Sequence, residues 1–349
     1  MSAVRVAVVG LGMIGGSVAR RLAPDHDVRV WDTDPGTRQA AERAGLRVAD
    51  DLGAVDVVVV ATPLDAMSTV LSGLSTGDRP LVTDVGSVKV PVLAAARAAG
   101  LAGRYVGGHP MAGSERSGPL AASAALFDGR PWAVTPHQDS SREAVDLVLE
   151  LVAVVGATAV QLSPDEHDRA VARTSHLPHL LASLVAGRLA EAPPGHLALS
   201  GQGVRDVTRV AAGDPELWQQ IVSGNAPAVV HLLGEVRDQL DALIVAVSKG
   251  QRAELTQILA QGVAGTQAIP GKHGGPPRAT ASVFVSVPDR AGELARLFAD
   301  AGSSGVNIED VRIDHDPGRP TGLVELVVAD DSSEHLLASL ESRGWVTHR

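Results

Sequence analysis

The sequence predicts an α/β protein of three parts: a doubly wound parallel sheet, an all-α second domain and a small C-terminal α+β module. Apolar strand-like runs alternate with helical stretches over residues 1–162, which is typical of a parallel sheet covered by helices on both faces. Helical periodicity alone continues over residues 163–268. Residues 269–279 are rich in Gly and Pro and predict a linker, and strands and helices mix again over residues 280–349. We therefore expect a Rossmann-type domain, a helical domain and a ferredoxin-like module.

Six apolar runs are the candidate strands of the first domain. The runs are Val4–Val9, Val28–Trp31, Val57–Ala61, Leu81–Thr83, Tyr105–Gly107 and Trp132–Thr135. Each of the first four precedes a turn and then a stretch rich in Ala and Leu, which predicts a β-α unit. Because open sheets of this kind bind ligands at the carboxyl ends of their strands, we expect the functional residues to follow these runs.

Two long helices are predicted in the second domain, from about Asp165 to Leu189 and from Pro227 to Gly250. Their apolar stripes consist of Leu177, Leu180, Leu181, Leu184 and Val185 on the first helix and of Val230, Leu233, Val236, Leu240 and Leu243 on the second. Stripes this long favour burial against a second copy of the chain. We therefore expect a homodimer formed through the helical domain.

The C-terminal module follows the order β-α-β-β-α of a ferredoxin-like fold. Its strands are predicted at Ser282–Val287, Val306–Asp314 and Leu323–Val328, its helices at Gly292–Ala301 and Ser333–Ser342, and a last strand at Trp345–His348.

Composition excludes several classes of function. The 349 residues include 30 Lys and Arg against 40 Asp and Glu, and the formal net charge is -10. Nucleic acids and anionic membrane surfaces attract clustered basic residues, so neither is an expected partner. The chain has no Cys, which excludes disulfides and thiolate chemistry. The N-terminal run lacks the features of a signal peptide, and no apolar stretch reaches the ~18 residues of a membrane span, so we expect a cytoplasmic protein.

The turn after the first strand predicts a dinucleotide site. Gly10, Gly12 and Gly15 have the spacing G-x-G-x-x-G between a strand and a helix. The first allows a tight turn, the second lets a pyrophosphate approach the backbone, and the third lets helix and strand pack closely. Asp32 follows the second strand, where a carboxylate accepts the ribose hydroxyls of NAD and repels the 2′-phosphate of NADP. The pattern favours NAD, although the nearby Arg38 could accommodate NADP.

Residues at other strand ends complete the predicted nucleotide site. They are Met13 and Ile14 in the same turn, Thr62 and Pro63 after the third run, and Asp84 and Gly86 after the fourth. In a doubly wound sheet the residues after the third run lie beside the distal ribose, and those after the fourth lie near the nicotinamide.

His109 is the candidate catalytic residue. It follows a strand, and Gly108 and Pro110 flank it, so we expect it at the carboxyl edge of the sheet. A His with a pKa near ~6.5 is suited to acid–base work at neutral pH. The other interpretation is a His that only packs the loop.

His176 and His179 are three residues apart on one predicted helix, and this spacing can hold a metal. No third ligand lies at a suitable spacing, and Pro178 between them indicates a kinked pocket wall. We therefore expect no metal.

Four segments of the chain resemble the prephenate dehydrogenase family of tyrosine biosynthesis. They are DVGSVK (84–89), GGHPMAGSE (107–115), SHLPH (175–179) and GVRDVTRVAAGDPELW (203–218), and the match is collinear over residues 4–265. The resemblance implies an NAD-dependent oxidoreductase that converts prephenate to 4-hydroxyphenylpyruvate with loss of CO2. Aromatisation of the ring drives that reaction, so the protein mainly has to orient and polarise the substrate.

By this resemblance His109 and Ser87 are the catalytic residues. An uncharged His109 accepts a hydrogen bond from the C4 hydroxyl of prephenate, which predicts a loss of activity in acid, and Ser87 bridges the hydroxyl, the His and the nicotinamide. Arg209 clamps a substrate carboxylate, for which a planar guanidinium is suited. The other implied substrate contacts are Asp206 beside Arg209, His179 and Ser175 along the pocket, and Ser114 and Glu115 at its mouth.

Two segments of the C-terminal module resemble the ACT domain of amino-acid-regulated enzymes, namely VPDRAGEL (287–294) and GVNIE (305–309). The resemblance implies an effector site at Gly292, Asn307 and Ile308, with L-tyrosine or L-phenylalanine as an allosteric feedback effector. The alternative is a dimerisation module that binds no ligand.

Other functions remain open beside the favoured one. The substrate could be arogenate, which carries an amine in place of the keto oxygen and would give tyrosine directly; His179 beside the side-chain site leans toward prephenate. The chain could also be a non-catalytic regulator that binds NAD and an amino acid. A β-hydroxyacid dehydrogenase is disfavoured because it needs a Lys on the first long helix, and the only Lys residues are Lys89, Lys249 and Lys272.

Overall fold

The computed structural model describes residues 4–49, 55–74, 80–112, 118–270, 279–315 and 320–349. It consists of two compact units, Met1–Gln239 and Leu240–Arg349. Among the residues so described, no helix is long and apolar enough to cross a membrane.

The helices and strands of the first unit follow in chain order. The strands are β1 (Arg5–Val9), β2 (Asp27–Trp31), β3 (Arg47–Val48), β4 (Val57–Val60), β5 (Leu81–Asp84), β6 (Tyr105–Pro110), β7 (Pro131–Thr135) and β8 (Thr158–Gln161). The helices are α1 (Met13–Leu22), α2 (Pro35–Arg43), α3 (Leu64–Gly73), α4 (Val90–Ala98), α5 (Arg142–Val154), α6 (Pro164–Val171), α7 (Leu177–Ala190), α8 (Pro194–Leu197), α9 (Gln202–Arg209) and α10 (Pro215–Gly224). The next helix, α11 (Ala226–Ser248), begins in the first unit and ends in the second.

The strands of the first unit form one sheet in the order β3-β2-β1-β4-β5-β6-β7-β8. Neighbouring strands are parallel except β6 and β7, which are antiparallel. The chain reverses its direction of progress between β1 and β4, and at such a point a doubly wound sheet opens a crevice for a ligand. The predicted Rossmann-type sheet is confirmed.

The sequence of β1 explains why helices cover both faces of this sheet. Val6 and Val8 are fully buried in an apolar cluster with α1 and α5. Ala7 and Val9 are buried in a second cluster with α3 and α4. Since successive side chains of a strand point to opposite faces, an uninterrupted apolar run is what a strand buried on both faces requires.

Two edge strands were not predicted. β3 has only two residues, and β8 is exposed along its whole length. Neither contains a run of apolar residues, because an edge strand far from the core does not need one.

β6 is longer than predicted, and this corrects the placement of His109. The predicted strand ended at Gly107, but Gly108, His109 and Pro110 also pair with β7, with His109 opposite Ala133. His109 therefore lies within a strand near its carboxyl end, where the sheet holds its backbone.

The first predicted long helix is confirmed in three consecutive pieces. α6 leads into a π-helical turn, Ala172–His176, and α7 follows directly. Pro178 lies in the first turn of α7, a position where proline is tolerated. α11 corresponds to the second predicted long helix.

The predicted apolar stripes of these helices remain partly open within this chain. Leu184 of α7 and Val230 of α11 are each 65% exposed, whereas Val229 and Leu232 are the α11 side chains buried in the first unit. Exposed apolar side chains of this kind favour packing of α7 and α11 against a second copy of the chain.

The second unit contains α12 (Arg252–Gln267) and the C-terminal module. The module consists of β9 (Thr280–Pro288), α13 (Glu293–Gly302), β10 (Ile308–His315), β11 (Thr321–Ala329), α14 (Ser333–Ser342) and β12 (Val346–His348). Its strands form an antiparallel sheet in the order β10-β11-β9-β12, with Val285, Leu297 and Leu326 fully buried against the helices. The predicted order of strands and helices, including the last strand, is confirmed.

The predicted effector residues lie at two turns of this module. Gly292 has a φ of +93° directly before α13, a conformation that favours glycine. Asn307 and Ile308 lie at the start of β10, and the Asn307 amide donates a hydrogen bond to Glu309 at 3.0 Å.

Candidate active site

The glycine turn between β1 and α1 has the geometry of a phosphate cradle. Gly10 has a φ of +94°, and Gly12 precedes α1 in an extended conformation without a side-chain cap. A Cβ atom at Gly15 would lie 1.9 Å from the carbonyl oxygen of Gly10, so only glycine lets the helix approach the turn. A Cβ at Gly12 would meet nothing within 4 Å among the described residues. The helix N-terminus therefore faces open space, which fits a pyrophosphate.

Asp32 supports this turn from the end of β2. One carboxylate oxygen accepts a hydrogen bond from the N–H of Leu11 at 2.7 Å, and the other accepts from the N–H of Asp34 at 2.9 Å. The Arg38 guanidinium donates to the carbonyl oxygen of Thr33 at 3.1 Å and also to that of Asp32. The Arg38 side chain is thus bound to the backbone at the end of β2. The Asp32 carboxylate is the charged group at the position of the adenosine ribose, and a carboxylate there suits NAD rather than NADP.

Thr62 and Pro63 follow β4 at the same edge of the sheet, and Pro63 precedes the first residue of α3. The hydroxyl of Thr62 is buried and has no hydrogen-bond partner within the described part of the chain. An unsatisfied buried hydroxyl is costly, and a ligand group beside α3 would satisfy it.

A buried ion pair lies beneath the predicted catalytic loop. The Lys89 ammonium group donates to the carboxylate of Asp84 and, at 2.6 Å, to the carbonyl oxygen of Gly108. The same carboxylate accepts from the hydroxyl of Tyr105 at 2.8 Å and from the N–H of Gly86 at 2.8 Å. Asp84 and Lys89 are both 0% exposed, so the pair belongs to the interior of the sheet.

This pair corrects the predicted role of Asp84. The sequence predicted a cofactor contact, but the Asp84 carboxylate is directed into the protein and already binds Lys89, Tyr105 and two backbone N–H groups. It holds the ends of β5 and β6 together instead. Burial lowers the pKa of Lys89, while Asp84 opposes this change.

His109 is the first member of a chain of three polar side chains. Its Nδ1 atom lies 2.9 Å from Nε2 of His167, and Nδ1 of His167 lies 2.8 Å from a carboxylate oxygen of Asp168. The Asp168 carboxylate also accepts from the N–H groups of Lys89 at 2.7 Å and Val90 at 2.8 Å, at the start of α4. His167 and Asp168 are 1% and 4% exposed. Neither residue is among those predicted from the sequence.

The imidazole of His109 is uncharged at neutral pH. Burial lowers its pKa well below 6.5, and the positive charge of Lys89 and the neighbouring His167 and His176 lower it further. An uncharged imidazole can accept a proton or a hydrogen bond from a substrate hydroxyl.

The helical wall of the site contains two more buried His side chains. His179 stacks on Trp218 with ring centroids 3.5 Å apart, and a Cβ at Gly213 would lie 2.5 Å from the Trp218 indole nitrogen. Nδ1 of His179 is buried and has no partner among the described residues. Burial lowers the pKa of His176 to about 4. Trp218 ends the segment 203–218, but the spacing of residues along the chain does not reveal that it stacks on His179.

The other predicted substrate residues lie on several elements of this unit. Arg209 is the last residue of α9 and is exposed, and Asp206 on the same helix accepts a hydrogen bond from Gln202 at 2.9 Å. Ser87 is half-buried between β5 and α4, and Ser175 is half-buried in the π-helical turn. Ser114 and Glu115 lie outside the described residues.

His176 and His179 both lie in the helical wall of the site. Nδ1 of His176 lies 3.3 Å from the Asn225 amide nitrogen, and His179 stacks on Trp218. In the described portions of the chain, no three His, Asp or Glu side chains are grouped so that they could hold a metal ion.

Family models match most of the chain. Residues 16–161 match the nucleotide-binding domain of prephenate dehydrogenase, and residues 163–261 match the prephenate dehydrogenase dimerization domain. The probable prephenate dehydrogenase NovF of Streptomyces niveus is 36% identical over 97% of this chain and 98% of its own length. The prephenate dehydrogenase of Bacillus subtilis is 28% identical over 97% of this chain and 96% of its own.

Solved structures show the same fold. Prephenate dehydrogenase from Aquifex aeolicus, in complex with hydroxyphenyl propionate and NAD+, is 27% identical, with a TM-score of 0.69 over 76% of this chain and 98% of that chain. Arogenate dehydrogenase from Synechocystis is 28% identical, with a TM-score of 0.64 over 75% of this chain and 98% of that chain.

Substitutions at two glycines of the turn are expected to have different effects. Gly12→Ala should leave the melting temperature unchanged, since its methyl group meets nothing, but weaken NAD binding about tenfold or more by blocking the pyrophosphate. Gly15→Ala should lower the free energy of unfolding by about 1–3 kcal/mol or more, because its Cβ overlaps Gly10. Thermal unfolding and NAD titration would measure both, with Gly73→Ala at the end of α3 as the matched control. Unchanged NAD affinity in Gly12→Ala would contradict this assignment.

Loss of one member of the buried ion pair is expected to be severe. Lys89→Met should lower the free energy of unfolding by about 3–5 kcal/mol, because it leaves the Asp84 carboxylate buried without its counter-charge. The double variant Asp84→Leu/Lys89→Met should be less destabilised than the sum of the single variants, which urea unfolding would measure. Arg97→Met, which breaks an exposed pair with Asp139, is the control and should change stability much less. Additive effects at Asp84 and Lys89 would argue against their coupling.

Proposed function

This chain belongs to the prephenate dehydrogenase family, and we propose how its residues share the NAD-dependent oxidative decarboxylation of prephenate to 4-hydroxyphenylpyruvate. The observation that carries the proposal is the position of His109, a shielded and uncharged imidazole near the carboxyl end of β6. β6 runs parallel to β5, and both belong to the same sheet as β1. The glycine turn follows the carboxyl end of β1. His109 therefore lies at the same sheet edge as that turn.

The cofactor site fits NAD. Gly12 and the N-terminus of α1 would receive the pyrophosphate, Asp32 the adenosine ribose, and Thr62 a group of the distal half. NAD bound there supplies the hydride acceptor of the reaction.

His109 acts on the C4 hydroxyl of the substrate. The uncharged imidazole accepts a hydrogen bond from this hydroxyl and draws its proton, which raises the electron density on the oxygen as hydride leaves C4. Breaking the bond between C1 and the carboxylate releases CO2 and returns an electron pair to the ring. The ring becomes aromatic, and the proton remains on the phenol oxygen, so His109 ends the reaction uncharged.

The anionic groups of prephenate require cationic or hydrogen-bonding partners. Arg209 at the end of α9 is suited to clamp a carboxylate. Ser87 precedes α4 and would orient the hydroxyl beside His109, while His179 and Ser175 would line the pocket from the helical wall. Asp206, Ser114 and Glu115 stay predicted substrate contacts.

The C-terminal module is proposed to be an ACT-like regulatory domain. Its β-α-β-β-α-β order and the left-handed Gly292 before α13 support this proposal. L-Tyrosine or L-phenylalanine would bind near Gly292, Asn307 and Ile308. Regulation in this sense requires that the amino acid change the affinity for prephenate.

The chain is also proposed to be a homodimer. The match of residues 163–261 to a dimerization domain and the exposed apolar side chains of α7 and α11 support this assembly.

Two substitutions are expected to separate chemistry from binding. With prephenate and NAD, His109→Asn should lower kcat by about 100-fold or more at a similar KM, because it removes the proton acceptor. Arg209→Ala should mainly raise KM, because it removes a carboxylate partner. Initial rates of NADH formation measure both, and Arg142→Ala, whose parent side chain is 94% exposed on α5, is the control.

The same assay tests the proposed substrate. Turnover of prephenate should exceed that of arogenate in kcat/KM, and faster arogenate turnover would reverse the assignment. NAD binding without turnover of either compound would favour a regulator that lacks catalysis.

The activity is expected to fall in acid at a pH below 6.5. Only uncharged His109 accepts the hydroxyl hydrogen bond, and its pKa is well below 6.5 because of burial, Lys89, His167 and His176. kcat/KM should therefore be constant from about pH 8 to about pH 6.5 and decline as the pH falls further. Initial rates after return to neutral pH would control for irreversible unfolding. A decline that begins above pH 6.5 would show that His109 is not shielded in this way.

A further inference from the structure

We infer that Asp168, acting through His167, fixes the tautomer of His109 so that its Nε2 atom is the acceptor offered to the substrate. The inference extends the proposed role of His109 to two buried residues that do not touch the substrate. It rests on the order of donors and acceptors along the three side chains.

Asp168 is the acceptor at one end of the three hydrogen-bonded side chains. An ionised carboxylate only accepts hydrogen bonds, and the N–H groups of Lys89 and Val90 bind its two oxygens at 2.7 and 2.8 Å. These N–H groups begin α4, where the positive end of the helix dipole interacts favourably with a carboxylate. The nitrogen of His167 that faces Asp168 at 2.8 Å must therefore carry the hydrogen, which places it on Nδ1.

The position of the hydrogen on His167 determines the position of the hydrogen on His109. The inference includes an uncharged His167, whose ring has one N–H donor and one acceptor nitrogen. Nε2 of His167 is then the acceptor once Nδ1 carries the hydrogen. Nδ1 of His109 lies 2.9 Å from that acceptor and must donate to it. Nε2 of His109 is then left with its lone pair.

This tautomer is the one that the chemistry needs. A lone pair on Nε2 accepts the C4 hydroxyl proton, whereas the opposite tautomer would present an N–H to the same hydroxyl. That N–H could donate to the hydroxyl oxygen but could not accept its proton. His167 and Asp168 are therefore positioning residues for His109.

Contacts with neighbouring elements hold the Asp168 end of this chain of side chains in position. The amide of Asn225, between α10 and α11, donates to the carbonyl oxygen of Asp168 at 2.7 Å and lies 3.3 Å from Nδ1 of His176. Asp168 is thus held by α4 through its side chain and by Asn225 through its backbone. The rings of His109 and His167 are inclined by 69° with centroids 5.1 Å apart.

The tautomer can be measured without any activity. In the full chain without substrate, ¹⁵N NMR of the histidine rings should show the hydrogen on Nδ1 of His109 and on Nδ1 of His167 at pH 7.5. Assignment would use His109→Asn and His167→Gln. A hydrogen on Nε2 of His109 would overturn the inference, while failure of the chain to oxidise prephenate would affect the proposed function alone.

Two variants of His167 provide the kinetic test. In His167→Gln, the amide NH2 can donate to Asp168 and the amide oxygen can accept from His109, so kcat should stay within about fivefold of the parent. His167→Leu removes both groups and should lower kcat by about 100-fold with little change in KM, by analogy with the effect of a wrong tautomer in hydrolases. Thermal unfolding would verify that both variants are folded. Equal activity of the two variants, at either level, would contradict a positioning role.

Discussion

The geometry of the site depends on Lys89. Its ammonium group joins Asp84 at the end of β5 to the carbonyl oxygen of Gly108 in β6, and its backbone N–H binds Asp168 on α6. One residue therefore connects the strand that carries His109 with the helix that carries His167. The 2.9 Å contact between the two imidazoles requires both elements to stay in place, and Lys89 lies between them in the hydrogen-bond network.

Stability alone is a weak reason for a buried ion pair at this place, because the desolvation of two charges offsets much of their attraction. The pair also satisfies the hydroxyl of Tyr105 and the N–H of Gly108, which would otherwise be buried without partners. Burial is the main cause that lowers the pKa of His109, and the ammonium group of Lys89 lowers this pKa further. Lys89 thus contributes to both the position and the charge state of the imidazole.

The part of the site that binds the cofactor could be predicted because its residues lie close together in the sequence. A strand buried on both faces, a glycine turn and a helix N-terminus follow one another within a few residues, and each leaves its mark on composition or spacing. Asp84 shows where this reasoning fails. A carboxylate after a strand commonly meets a ligand, but Lys89 lies five residues further on and folds back onto it, and spacing does not reveal that contact. The edge strands β3 and β8 were missed because neither needs an apolar run.

The substrate half depends on contacts between distant parts of the chain. His109 and His167 are 58 residues apart, and Lys89 and Asp168 are 79 apart. The sequence of α6 nevertheless contains a pattern that indicates a buried polar network. Its buried residues Pro164, His167, Asp168 and Val171 have the spacing of a single helix face, and the two in the middle are polar. Because buried polar groups must find partners, a helix face of this kind predicts a network with other elements, and here that network ends at the catalytic imidazole.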